Sequence, residues 1–205
     1  MPRLYLASKS PRRREILASM GVTDIALLVA GPMTPGFFAG DEVQIAGERP
    51  ADYVLRTATD KARQALARIQ AQNLSPAPVL AADTVVILQG EILGKPRDTA
   101  DARRMLTLLS GRRHEVVSGI WLSLNGREAV SHAVTAVEFA PLTAREIAAY
   151  LESGEPFGKA GAYAIQGRAA AFIRGIEGDY FNVVGLPVNR MCELYRDTFG
   201  EDLLV

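Results

Sequence analysis

An α/β fold built on a mixed sheet is predicted by three observations. Segments with a helical apolar period alternate along the chain with short, β-branched runs, the pattern of strands packed under helices. One run, Val79-Leu80-Ala81-Ala82-Asp83-Thr84-Val85-Val86-Ile87-Leu88, is apolar nearly throughout and reads as a buried strand. Two longer runs, Glu115–Leu124 and Glu128–Phe139, meet across Asn125-Gly126, a strong signal for an antiparallel hairpin. With 205 residues, 48% hydrophobic and 22% charged, the chain suits one soluble domain or a two-lobed one, long enough to bury a substantial core.

The elements follow in order. Leu4–Ala7 reads as a strand. Ser8-Lys9-Ser10-Pro11 turns into a helix, with Ser10 at the N-cap and Pro11 at its first position; Gly21 ends it. Ile25–Val29 is a second strand. Residues 31–50 hold three prolines and four glycines, so a long loop is expected, of a length that is often functional. Val54, Leu55, Ala58, Ala62, Leu66 and Ile69 then mark one face of a helix from about Ala51 to Gln72. After the Asp83 strand, Gln89-Gly90 turns the chain into a short segment ending at Gly94-Lys95-Pro96. Asp98 caps a helix carrying Ala102, Met105, Leu106 and Leu109, which leads into the hairpin. Thr143-Ala144-Arg145-Glu146 is a capping box opening a helix to Leu151. The glycines between Gly154 and Gly185 are dense enough to predict tight backbone turns around a site. Pro187 opens a last helix ending near Gly200.

Composition narrows the function. Lys plus Arg and Asp plus Glu are 23 each, which argues against a generic nucleic-acid binder but leaves room for a local basic pocket. A single cysteine, Cys192, excludes an internal disulfide and a cysteine metal cluster. His114 and His132 lie in the hairpin without a second zinc ligand at suitable spacing. No signal-peptide core or membrane span is apparent, so a cytoplasmic protein that engages no membrane is expected.

Asp83 is the residue most out of place. A carboxylate inside an apolar strand loses solvation and needs a partner or a cation, and none lies within the run. It either performs chemistry or caps a loop from an exposed strand end. Ser8-Lys9-Ser10-Pro11-Arg12-Arg13 has the form of an anion site, in which a strand feeds a helix N-terminus whose N–H groups face the ligand and arginines add paired donors. The alternative is a plain capped surface helix with solvated arginines. Lys61, read on the polar side of its helix, and Lys95 are weak signals alone. Asp41 and Glu42 either hold a divalent cation or face water. Together these residues suit a phosphorylated ligand with a metal.

At these positions the chain resembles the Maf family of nucleoside triphosphate pyrophosphatases. The resemblance is carried by Leu6-Ala7-Ser8-Lys9-Ser10-Pro11-Arg12-Arg13, Ala82-Asp83-Thr84-Val85-Val86, Gly94-Lys95-Pro96, Leu109-Ser110-Gly111, the segment from Lys159 to Gly167, and Asn182-Val183-Val184-Gly185-Leu186-Pro187. It implies a single Maf-like domain over residues 1–205 with two lobes around a central cleft, on an elongated mixed sheet of the Maf/ITPase-like kind. It implies hydrolysis of a nucleoside triphosphate to the monophosphate and pyrophosphate with Mg²⁺ or Mn²⁺, and a homodimer as the assembly to test. Asp83 matches the catalytic proton-acceptor position, where it would take the proton from a water or hold the metal, and Glu42 would help to bind the cation. Ser8, Arg13, Glu42, Lys61 and Lys95 match polar active-site positions, and Ser8, Arg13, Lys61 and Lys95 are expected to bind the phosphates together with Ser10 at the helix N-terminus. Arg12, Thr84 and Gln166 match the positions that separate subfamilies, and together they resemble the dTTP/UTP branch. Alternatives are a pyrophosphatase for another base such as 7-methyl-GTP, and a nucleotide-binding regulator of cell division. The loop from Gly31 to Val43, with Phe37-Phe38, departs from the family pattern by its length.

Overall fold

Ten residues of nearly continuous apolar chain, Val79–Leu88, form the strand β3 on which the rest is assembled. The computed structural model describes residues 2–29 and 43–204, so Glu42 and the loop carrying Phe37-Phe38 lie outside the described residues. Around β3 stand β1 (Leu4–Ala7), α1 (Pro11–Ser19), β2 (Ile25–Leu27), α2 (Pro50–Ala71), β4 (Glu91–Leu93), α3 (Thr99–Leu109), β5 (Arg113–Leu124), β6 (Arg127–Phe139), α4 (Ala144–Glu152), β7 (Ile173–Glu177), α5 (Tyr180–Val184) and α6 (Val188–Phe199). Short 3₁₀ turns lie at Ala160–Ala162 and Arg168–Phe172. The sheet runs β2-β1-β3-β5-β6-β7, with β4 on β3. β1 is parallel to β2 and β3, while β3, β5, β6 and β7 pair antiparallel, so the sheet is mixed and flanked by helices, as expected.

The pairing of β3 is uneven in a way that makes a site. β5 runs beside it without interruption from Val79↔Ser123 to Ile87↔Glu115. On the other edge, β1 takes only Tyr5↔Val79 to Ala7↔Ala81, and β4 only Val86↔Leu93 to Leu88↔Glu91. Ala82–Val85 therefore have no strand neighbour on that edge among the described residues.

Side chains alternate across β3 with period two. On one face, Leu80 and Ala82 join a cluster with Leu4, Leu17 and Met191, and Val86 and Leu88 join another with Leu106 and Phe139. On the opposite face, Val79 and Ala81 pack with Ala58, Ala62 and Trp121, while Val85 and Ile87 pack with Tyr53, Val54 and Val117. Asp83 and Thr84 fall between these clusters, one on each face. The chain thus places a polar residue at the midpoint of both faces, where the strand edge is open.

Two glycine-dependent features set the geometry. Asn125 and Gly126 adopt φ of 51° and 78°, the left-handed pair required by a tight hairpin, and the ladder closes at Leu124↔Arg127. Gly119 faces Asp83 across the β3–β5 ladder, and a Cβ there would lie 2.7 Å from the Val54 backbone, so α2 rests directly on the strand. β2 stops at Leu27 rather than Val29, and the next residue, Leu28, still donates its N–H to the Leu6 carbonyl at 3.0 Å. β7, inside the glycine-rich segment, was not anticipated, since Gly175 interrupts its alternation.

Candidate active site

Asp83 is only 4% exposed, and its compensation comes from α2, not from its own strand. Lys61 Nζ pairs with one carboxylate oxygen at 2.5 Å, and the Thr57 hydroxyl donates to the other at 2.9 Å. Thr57 and Lys61 are four residues apart, one above the other on the helix face that Gly119 allows to approach. The reading that put Lys61 on the polar side is corrected here. The lysine sits at the border of the buried stripe, its side chain 25% exposed, with the ammonium turned inward to Asp83. This arrangement fixes the carboxylate in two directions and keeps it at the bottom of a cleft.

Arg13 closes the open edge of β3. Its Nε donates to the Gly185 carbonyl at 2.8 Å, Nη1 to Ser8 Oγ at 2.8 Å and to the Ala82 carbonyl at 2.9 Å, and Nη2 to Thr84 Oγ1 at 3.0 Å. The guanidinium thereby ties α1, the β1–α1 turn, β3 and the end of α5, and stands where a neighbouring strand would stand. Ser8 is held in the same knot and also accepts the Ser10 backbone N–H at 3.2 Å. Ser10 occupies the N-cap position of α1 as read, but makes no side-chain capping bond. On the far face, Thr84 lies 2.8 Å from Ser118 Oγ, and Ser118 donates to the Asn182 carbonyl at 3.2 Å. A buried polar chain thus runs from the cleft through β3 and β5 to α5.

These groups open onto a cleft of about 590 Å³. Ser8, Ser10, Arg12, Arg13, Lys61, Asp83, Thr84, Lys95 and Gln166 all line it. Lys95 is carried on the turn after β4, whose Gly94 carbonyl accepts the Gly161 N–H at 3.0 Å. Gly161 has φ of 65° and lies against Val86, with no space for a Cβ. Sequence reasoning did not single out Lys9, Arg68 or Lys159, which also line the cleft. Lys159 stood inside a recognised motif, but nothing in its local spacing distinguishes it from a solvated lysine. Burial and the nearby Arg12 charge lower the affinity of its ammonium for its proton. Burial likewise pulls the Arg12 guanidinium below its ordinary value.

The cleft is electrostatically one-sided. Seven cationic side chains (Lys9, Arg12, Arg13, Lys61, Arg68, Lys95 and Lys159) line it against one carboxylate, Asp83, among the described residues. Such a surface favours a polyanion. The described residues contain no group of three or more His, Cys, Asp and Glu able to hold a metal by themselves. The Asp83 carboxylate is a hard oxygen donor of the type that suits Mg²⁺ or Mn²⁺ when a substrate supplies further oxygens.

Comparison with known proteins agrees in extent with this geometry. A family model described as Maf-like protein matches residues 3–198. A dTTP/UTP pyrophosphatase of Bordetella pertussis is 51% identical over 95% of this chain and 92% of its own length. One from Bordetella avium is 52% identical over 95% of this chain and 94% of its own. Among solved structures, the Ham1 protein of Staphylococcus aureus aligns with a TM-score of 0.41 at 20% identity, covering 67% of this chain and 71% of that one. The family match runs from β1 into α6, so this chain belongs to the Maf family.

Proposed function

We propose that this chain is a nucleoside triphosphate pyrophosphatase that hydrolyses dTTP and UTP to the monophosphate and pyrophosphate. The observation that carries the reading is Asp83, a buried carboxylate fixed by Thr57 and Lys61 at the floor of a cleft otherwise lined by cations. Relatives about half identical over nearly the whole chain bear that name, which supports the same substrates here.

Attack on the α-phosphorus requires a water aligned with the departing pyrophosphate, and removal of its proton. Asp83 is the proton acceptor in this reading, with Lys61 and Thr57 aiming its two oxygens. Lys61 and Lys95 neutralise charge spreading over the triphosphate. The α1 N-terminus offers backbone N–H groups beside Ser8 and Ser10. Arg13, with its donors committed to Ser8, Ala82, Thr84 and Gly185, acts mainly by holding the phosphate cradle in shape. A divalent cation on Asp83 and substrate oxygens, with Glu42 as a further ligand, would supply additional charge neutralisation. Gln166 selects the base, because an amide matches both O4 and N3–H of thymine and uracil, with Arg12 and Thr84 shaping the same end. Two lobes around this cleft are expected from the family. The enzyme is expected to be cytoplasmic; among the described residues no helix is long and apolar enough to cross a membrane.

A panel of nucleoside triphosphates tests the reading through the product released. Pyrophosphate is expected from dTTP and UTP ahead of dCTP, GTP and 7-methyl-GTP, in a reaction abolished by excess chelator. Orthophosphate as first product, or equal turnover across bases, would overturn it.

A further inference from the structure

The glycine-rich return after α4 carries a carboxylate that the chemistry above leaves unused. Glu155 accepts the Tyr150 hydroxyl at 2.9 Å, the Arg168 backbone N–H at 3.0 Å and the Ala169 backbone N–H at 3.5 Å. Gly167 presses against the same group: at its φ of 147°, a Cβ would lie 2.5 Å from Glu155 Oε1. The backbone carbonyl of Glu155 in turn accepts the Lys159 ammonium, which also reaches the Phe157 carbonyl at 3.4 Å. One residue therefore anchors the backbone on the C-terminal side of Gln166 and, through its own carbonyl, the Lys159 side chain. Both Gln166 and Lys159 line the cleft.

Gln166 itself is exposed. An exposed amide has many rotamers, and ordering it on a ligand costs free energy unless the backbone that bears it is already fixed. The Glu155 carboxylate is not among the groups lining the cleft, and its bonds run to Tyr150 and to the backbone after Gln166. Its negative charge is thus used on N–H groups and a phenol, and is not presented to an anionic substrate. Arg12, at the same end, lies close enough for its charge to act on both Tyr150 and Lys159.

We propose that Glu155 is a positioning residue for base selection, fixing through its carboxylate the backbone from which Gln166 reads the base. The inference rests on Gln166 being the base-selecting side chain. A double-mutant cycle tests it, with kcat and KM measured for dTTP, UTP and dCTP. Glu155→Ala is expected to raise KM for dTTP and UTP about tenfold, with kcat changed far less, and to narrow the preference over dCTP by a similar factor. Added to Gln166→Ala it should have little further effect, because the two act as one unit. Glu155→Gln keeps the length and one of the two acceptor oxygens, which can take the Arg168 N–H with the amide NH₂ turned to the Tyr150 hydroxyl oxygen, so it should restore part of the discrimination. Losses that add, that fall evenly on all bases, or that are equal in the Gln and Ala variants would overturn the proposal. Should Gln166→Ala alone leave base preference unchanged, the base-selecting role of Gln166 fails, and amide exchange then decides the positioning role. The Arg168 amide should be protected in the parent protein and exchange faster in Glu155→Ala; equal protection overturns the proposal.

Discussion

Asp83 and His114 are both buried polar residues, and they are stabilised in opposite ways. Asp83 is paired with the Lys61 ammonium and accepts the Thr57 hydroxyl. The strand alone, with one isolated charge among apolar side chains, predicts no loss of stability on its removal. With the pair seen, Asp83→Asn takes the anion from a lysine that is only a quarter exposed, so a loss of about 1–2 kcal/mol is expected, between the values for surface and buried pairs. Turnover should fall at least about a hundredfold. Urea denaturation and steady-state kinetics on one preparation separate the two effects; an active variant would remove Asp83 from the chemistry. His114 is 2% exposed, packed edge-on against Phe139 and Tyr163, and burial pushes its pKa down from 6.5 to about 4. The unfolded chain therefore binds a proton between those two values that the folded chain refuses. Stability is full above pH 6.5 and falls as pH drops toward 4, by about 3 kcal/mol at most from this residue. His114→Gln should flatten that part of the stability curve. Parallel curves for the two proteins from pH 7 to 4.5 would show that the imidazole takes up its proton without unfolding.

At the scale of elements, the critical contact is α2 on β5. A methyl group at position 119 would meet the Val54 backbone at 2.7 Å, and backbone cannot turn aside as a flexible side chain does. Gly119→Ala is expected to lift the helix, cost about 1–3 kcal/mol as overpacking does, and pull Thr57 and Lys61 away from Asp83. Activity should fall more than stability explains, measured as kcat at a temperature where the variant remains folded; unchanged kcat would mean that the helix position is not critical. This contact also marks the limit of what the sequence discloses. α2, α3 and α4 announce themselves through a 3.6-residue apolar period and through caps at Asp98 and Thr143, and the hairpin through Asn125-Gly126. Those signals are local. The pairing of Lys61 with Asp83 depends on the height of a helix over a strand, set by a glycine on a third element. β7 escaped for a related reason: glycine contributes no side chain to the alternation by which strands are recognised, and its partner β6 lies far away in sequence. The residues gathered in the cleft were legible as a set because they recur in motifs, whereas Lys159 and Glu155 are placed by the return of the chain after α4.

Across the whole molecule, equal numbers of basic and acidic residues conceal a strongly uneven arrangement. Positive groups face the cleft, while the Arg97–Asp101–Arg104–Glu91 and Arg196–Asp202 pairs consume charge elsewhere. The chain can thus bind a polyanion without being basic overall. The four apolar clusters also share one strand. Leu80, Ala82, Val86 and Leu88 on one face, and Val79, Ala81, Val85 and Ile87 on the other, place β3 in all four apolar clusters. No cluster can melt without withdrawing β3 from the others, so heat should remove all four together. Calorimetry is expected to give a single transition whose calorimetric and van't Hoff enthalpies agree, and two resolved peaks would refute that coupling. A nucleotide bound in the cleft would then raise the melting temperature of the entire protein, including α3 and α6 that line none of the cleft, because the strand beneath the ligand is common to every part of the core.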